Sequence, residues 1–190
     1  MLKKLILKNR SYSRFRENEA VSTEVLRELV DLSRYVVSAA NKQPLKYILS
    51  CTAEKNARIF PYLHWARALH ENATPKEGER PAAYIIVLGD REISADFGVD
   101  HGIAAQTILL CAVEKDLGGC MIGAINREGL RLSLDIPYRF DILLAIALGK
   151  PAETVIIEEL RDESTVDFWL DKQSIHHVPK RSLDEIILNL

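Results

Sequence analysis

Cysteine is scarce in this chain. Cys51, Cys111 and Cys120 stand apart among 190 residues, with no CxxC pair and an odd total. Such spacing excludes a disulfide framework and points to buried thiols in a reducing compartment. Long apolar runs are missing too. The stretch Leu5 to Leu7, after the two lysines of MLKKLILKNR, is too short for a signal-peptide core or a membrane span. A cytoplasmic protein is expected. Nor is there an excess of charge of one sign, since 25 Lys and Arg face 27 Asp and Glu for a net charge of −2. Nucleic acid and anionic membrane are therefore not expected as partners, and any anion site must be local. GxGxxG, P-loop, GxSxG and HExxH patterns are all absent. Adjacent His176 and His177 lack Cys, His or Asp companions at ligand spacing, so no metal site is expected.

What remains is an ordinary globular composition, 47% hydrophobic and 27% charged, in a length that suits one domain over residues 1–190. Ser22 or Thr23 is a candidate N-cap for a helix over 23–37, where Val25, Leu29, Leu32 and Val36 recur at helical spacing. Alternation at Leu45, Tyr47 and Leu49 predicts a strand over 45–51, and a second helix is expected over 54–70. Residues 71–81 carry the Pro, Gly and charge content of an exposed loop. AYIIVLGD and DILLAIALG look like buried strands, CMIG like a short one. Helices are expected over 98–116, with an interior buried almost all round, over NREGLRLSLDI, and from about 182. An edge strand at Val155 to Leu160 precedes an irregular segment through Trp169. Interleaved helices and strands of this kind make an α+β fold around one sheet.

Four stretches hold residue types that could bind a ligand. NRSYSRF places Arg10, Ser11, Tyr12, Ser13 and Arg14 together, guanidinium forks and hydroxyls suited to phosphate, or merely a solvated basic turn. SAANKQP sets the small Ser38, Ala39 and Ala40 beside the amides of Asn41 and Gln43, which would let backbone approach a flat ligand; helix capping before Pro44 is the simpler reading. In GGCMIG, glycines flank a short apolar strand (Met121, Ile122, Gly123) that could pack on a planar ring, or simply end a helix and turn. Lys180 and Arg181 precede the last helix and could close on an anion or remain solvated. Asp100, at a helix start, more plausibly caps that helix or makes a structural hydrogen bond.

Taken in order, NRSYSRF, SAANKQP, DHGIAAQTILLCAVEKDLGGCMIG, LLAIALGKP and HHVPKRSLDEII resemble the FMN-dependent nitroreductase family over nearly the whole chain. The resemblance implies a three-layer α/β/α sandwich with a mostly antiparallel central sheet, an intertwined homodimer, and FMN bound at its interface. It implies phosphate contacts from Arg10, Ser11, Lys180 and Arg181. Ser13 stands where a basic residue is usual, so Arg14 becomes the candidate for that charge. Ser38, Ala39, Ala40 and Asn41, with Gln43 and Pro44 completing the motif, match the turn along the flavin, with Val37 in place of the usual proline. Met121, Ile122 and Gly123 match the strand against the ring. The implied activity is a ping-pong NAD(P)H oxidoreductase, NADH or NADPH reducing FMN and a small acceptor such as a nitroaromatic or quinone reoxidising it. Reductive dehalogenation, flavin fragmentation and a non-catalytic FMN-binding protein are the alternatives. The isoalloxazine carries the redox step, so no acid–base side chain is required.

Overall fold

Val25 N–H donates to Ser22 Oγ at 3.3 Å, and from that cap helix α2 runs over Thr23–Ser33. The computed structural model describes residues 1–65, 74–160 and 166–188 of the chain. A short helix α1 (Leu2–Lys8) precedes α2, and β1 (Leu45–Ser50), α3 (Ala53–Ile59), β2 (Ala83–Asp90) and α4 (Asp100–Glu114) follow. Next come β3 (Gly118–Ile122), α5 (Arg127–Leu134), β4 (Phe140–Gly149), β5 (Thr154–Glu159), β6 (Trp169–Leu170), β7 (Ile175–Lys180) and α6 (Leu183–Ile186).

The main sheet has the order β1-β2-β4-β3, each pairing antiparallel. All of β2 is buried, which explains its unbroken apolar run. Alternate side chains go to opposite faces. Ala83, Ile85 and Val87 join Ile146, Leu148, α2 and α4 in one core. Tyr84, Ile86 and Leu88 join Ala145, Ala147, Ile59 of α3 and Leu130 of α5 in the other. Helices thus cover both faces of an antiparallel sheet, the three-layer arrangement expected from the resemblance. A second, smaller sheet of order β5-β7-β6 packs parallel strands β5 and β7 together.

Several expected boundaries shift. The first long helix stops at Ser33 rather than 37, and Leu26 and Leu29 form its buried stripe, with Leu32 exposed. The helix expected over 54–70 ends at Ile59, because Pro61 turns the chain through a 3-10 segment, Phe60–Tyr62; residues 66–70 lie outside the described residues. So do residues 71–73 of the expected loop, whereas Lys76 to Gly78 within it are exposed. In α4, Ala104 and Ile108 are buried as expected, but Ile103, Thr107, Leu110 and Cys111 are only partly covered. The segment expected to be irregular through Trp169 ends in β6. α1 and β7 answer to no expectation.

Candidate active site

The N-terminal motif is positioned by a glycine pair. Ser11 bridges Gly119 in parallel, and Tyr12 N–H donates to the Gly119 carbonyl at 3.1 Å. A Cβ on Gly118 would fall 2.5 Å from the Tyr12 ring, and one on Gly119 would fall 2.3 Å from the Ala147 carbonyl oxygen. Only glycine lets the motif lie this close to β3. The two glycines therefore serve protein packing, not a ligand. Gly123, with nothing within 4 Å of an added Cβ, is open space at the other end of the strand.

Alongside lies a cavity of about 640 Å³, within the ordinary range for small-molecule sites. Arg10 through Ser13 form one side of it, and Cys120 to Ile122 of β3, with Gly123 just beyond the strand, form its floor. His64, Trp65, Gln106 and Leu109 contribute from the main body, and Val155, Phe168, His176, Val178 and Lys180 from the second sheet. β3 is the edge of its sheet, so beyond the Gly119 bridge no described strand pairs with its outer side. Edge backbone of this kind offers free N–H and C=O groups to a ligand.

Three residues of the lining each carry a buried polar atom without a partner. Among the described residues six buried side-chain polar atoms have no hydrogen-bond partner, and Arg10 Nε, Trp65 Nε1 and His176 Nε2 all belong to cavity-lining residues. Leaving buried donors and acceptors unmet is costly, and such atoms ordinarily have a partner. Burial pushes the Cys120 thiol up to about 12, with the nearby Glu153 carboxylate acting in the same direction. Cys120 is thus a packing residue and not a thiolate nucleophile. Burial likewise raises Tyr12, against the pull of Arg10 and Lys8.

Glu153 organises the wall behind the motif. Its carboxylate accepts the backbone N–H groups of Ser13 and of Arg14, the latter at 3.0 Å, and the Ser13 hydroxyl at 3.2 Å. His176 Nδ1 stands 3.1 Å from its other oxygen.

The structure gathers some of the sequence candidates and separates others. Arg10, Ser11, Tyr12, Ser13, Met121, Ile122, Gly123 and Lys180 all line the cavity. Arg14 does not; its Nε donates to Glu79 at 3.2 Å and one terminal nitrogen lies 3.8 Å from Glu153. Arg181 points along α6 to Glu185. Ser38, Ala39, Ala40, Asn41 and Gln43 also lie away from the lining. Their turn is fixed by Asp100, which accepts from Ser38 Oγ at 2.6 Å and from Ala39 N–H at 3.1 Å. Asp100 thus makes the structural hydrogen bond expected of it. Sequence reasoning missed His64, Trp65, Gln106, Glu153 and His176 as site residues. Only His176 carried a local signal, and its histidine neighbour drew that signal toward metal. Among the described residues no cluster of three or more His, Cys, Asp or Glu is placed to hold a metal.

The family described as "Nitroreductase family" matches residues 6–150. The chain belongs to the nitroreductase family. Relatives are distant but cover most of it. YodC of Bacillus subtilis strain 168, named as an NAD(P)H nitroreductase, is 22% identical over 87% of this chain and 97% of its own. A nitroreductase family protein from Streptococcus pneumoniae superposes with a TM-score of 0.70 at 16% identity, each chain fully covered. A protein from Exiguobacterium sibiricum, named as a nitroreductase and solved in complex with FMN, gives 0.67 at 15% identity over 80% of this chain and 89% of that one. At these identities the solved structures establish the nitroreductase fold. Glu153 and the second sheet, which holds His176, lie beyond the span that matches the family.

Proposed function

We propose that this nitroreductase family member is an FMN-dependent oxidoreductase that passes electrons from NADH or NADPH to a small acceptor such as a nitroaromatic or quinone. The observation that carries the reading is the cavity itself: an apolar floor along an exposed strand edge, with the cations Arg10 and Lys180 in its lining. Those features fit FMN. Arg10 and Lys180 would hold its phosphate, whose charge of about −2 needs a local cationic cradle in a chain with no overall positive charge. Met121 to Gly123 would take the ring, with strand-edge amides available to its heteroatoms. When bound, FMN supplies a two-electron carrier reduced by nicotinamide and reoxidised in ping-pong order by the acceptor. The chain binds and orients it.

A homodimer completes the reading. The Ser38–Gln43 turn is largely exposed, polar and held by Asp100, and it does not line the cavity described above. We assign it to the cavity of a second copy. The test is an absorbance spectrum of the purified protein, followed by anaerobic titration with each nicotinamide. A flavin band that bleaches with NADH or NADPH and returns with a quinone is expected. A colourless protein that takes up no added FMN would overturn the proposal, and a flavin that does not bleach would leave only binding without catalysis.

A further inference from the structure

The second sheet has two faces. Phe168, His176, Val178 and Lys180 line the cavity, and the Phe168 ring meets that of His176 edge-on with centroids 6.1 Å apart. The alternate residues Trp169 and His177 pair across β6 and β7 and stack ring on ring at 3.9 Å, so they belong to the other face. There one imidazole is held by two carboxylates. His177 Nδ1 lies 2.6 Å from Glu158 of β5, and Nε2 lies 3.3 Å from Asp171, which follows β6. A neutral imidazole carries one N–H and satisfies only one of them, whereas the imidazolium satisfies both. The two bonds are therefore made together only when His177 is charged. Glu158 and Asp171 are the charged groups that act on it from these two elements, and the neighbouring His176 turns to Glu153 instead.

The strand so held is slight. β6 has two residues, Trp169 at 46% and Leu170 at 42% exposure, and pairs with β7 at two positions. The turn beyond it is independent of the imidazole, because Asp171 Oδ1 accepts the N–H groups of Gln173 and Ile175, both at 2.8 Å. What His177 adds is the tie from this hairpin to Glu158 of β5. We propose that protonated His177 is the pin of a pH-sensitive strap: it fastens the Phe168–Asp171 segment over the cavity, and loss of its proton turns a nitrogen lone pair toward Asp171, so that Phe168 is released from the wall and the cavity opens. The longer of the two bonds is the one given up. Because the charged form is favoured in the folded chain, the strap is fastened at low pH and comes loose as pH rises through the folded value.

Hydrogen exchange over residues 166–171 of the flavin-free protein, corrected for the intrinsic effect of pH, tests the strap without any ligand. Between about pH 6 and pH 9 it should accelerate in step with the loss of the His177 proton, followed by its 15N resonances in the wild type, so that no variant has to fold. His177→Gln should exchange fast throughout, with no dependence on pH. Release of flavin, read by its fluorescence, then tests the link to the cavity and rests on the FMN reading above. The rate should rise about 3- to 10-fold across the same range in the wild type, as for one lost hydrogen bond, and stay level in His177→Gln. Riboflavin, which has no phosphate to titrate, should show the same rise. Exchange that ignores the His177 titration, or flavin release that follows pH equally in both proteins, overturns the strap and leaves the FMN reading intact. Wild-type protein that binds neither flavin, while exchange still follows His177, overturns the FMN reading and supports the strap.

Discussion

An arginine with Nε buried and unpartnered, and one terminal nitrogen donating to the Ile6 carbonyl at 2.8 Å, is already oriented before any ligand arrives. If Arg10 makes a charged hydrogen bond to phosphate, Arg10→Ala should weaken FMN binding by about 1.5–3 kcal/mol. Isothermal titration checks this, and unchanged affinity would remove Arg10 from the phosphate site. Next to the site residue His176, His177 faces the other way and shows how much a neighbouring register matters. Its ring stacks on Trp169 with centroids 3.9 Å apart, Nδ1 lies 2.6 Å from Glu158, and Nε2 lies 3.3 Å from Asp171. The Glu158 hydrogen bond, then that of Asp171, outweighs desolvation and raises the His177 pKa above its ordinary 6.5. A raised folded pKa means that the stabilisation is complete below the unfolded value and is lost as pH rises through the folded one. Melting temperature should therefore fall on moving upward from neutral pH, and His177→Gln should flatten that slope. Parallel melting curves for the two proteins across this range would count against the clasp.

At the scale of elements, the Ser38–Gln43 turn is the most constrained piece of backbone. Ala40, Asn41 and Gln43 all have positive φ, at 52°, 52° and 53°. Such conformations cost of order 1–3 kcal/mol each and persist only when surroundings impose them. Asp100 imposes them here, with Gln43 N–H donating to Ser38 Oγ at 3.0 Å behind it. Asp100→Ala should destabilise the fold by about 1–3 kcal/mol, because it leaves the Ser38 hydroxyl and Ala39 N–H unmet; urea denaturation measures it. If the turn serves a second subunit's flavin, the same variant should also weaken FMN binding. The glycine pair gives a cleaner contrast. Gly119→Ala must push against backbone and should cost about 1–3 kcal/mol, whereas Gly123→Ala meets nothing within 4 Å and should leave the melting temperature unchanged. Equal effects at the two positions would contradict the close packing of Gly119 against the Ala147 carbonyl of β4.

For the whole molecule, apolar side chains remain open on several elements: Leu2, Ile6 and Leu7 of α1, and Leu183 and Ile186 of α6. Together with the half-covered residues of α4, they are apolar surface that the proposed homodimer would bury. Sedimentation at micromolar concentration should give the dimer mass, and stable folded monomers would argue against an interface site. Among the described residues no helix is long and apolar enough to cross a membrane.

By itself the sequence determined most of the secondary structure, because the cause is local. Ser22 and Asn126 cap their helices, alternation sends β2 to two cores, and the unbroken run of β4 demands burial. The motifs around Arg10 and Met121 were legible for the same reason. What only the tertiary structure decided is which of them meet. Arg14 is drawn off by Glu79 and Glu153, the Ser38 turn by Asp100, and Glu153 and His176 are brought together by β5 pairing in parallel with β7. Parallel pairing joins distant segments and leaves no local period to read. The wall that this pairing builds over the cavity could be seen only once the chain was folded.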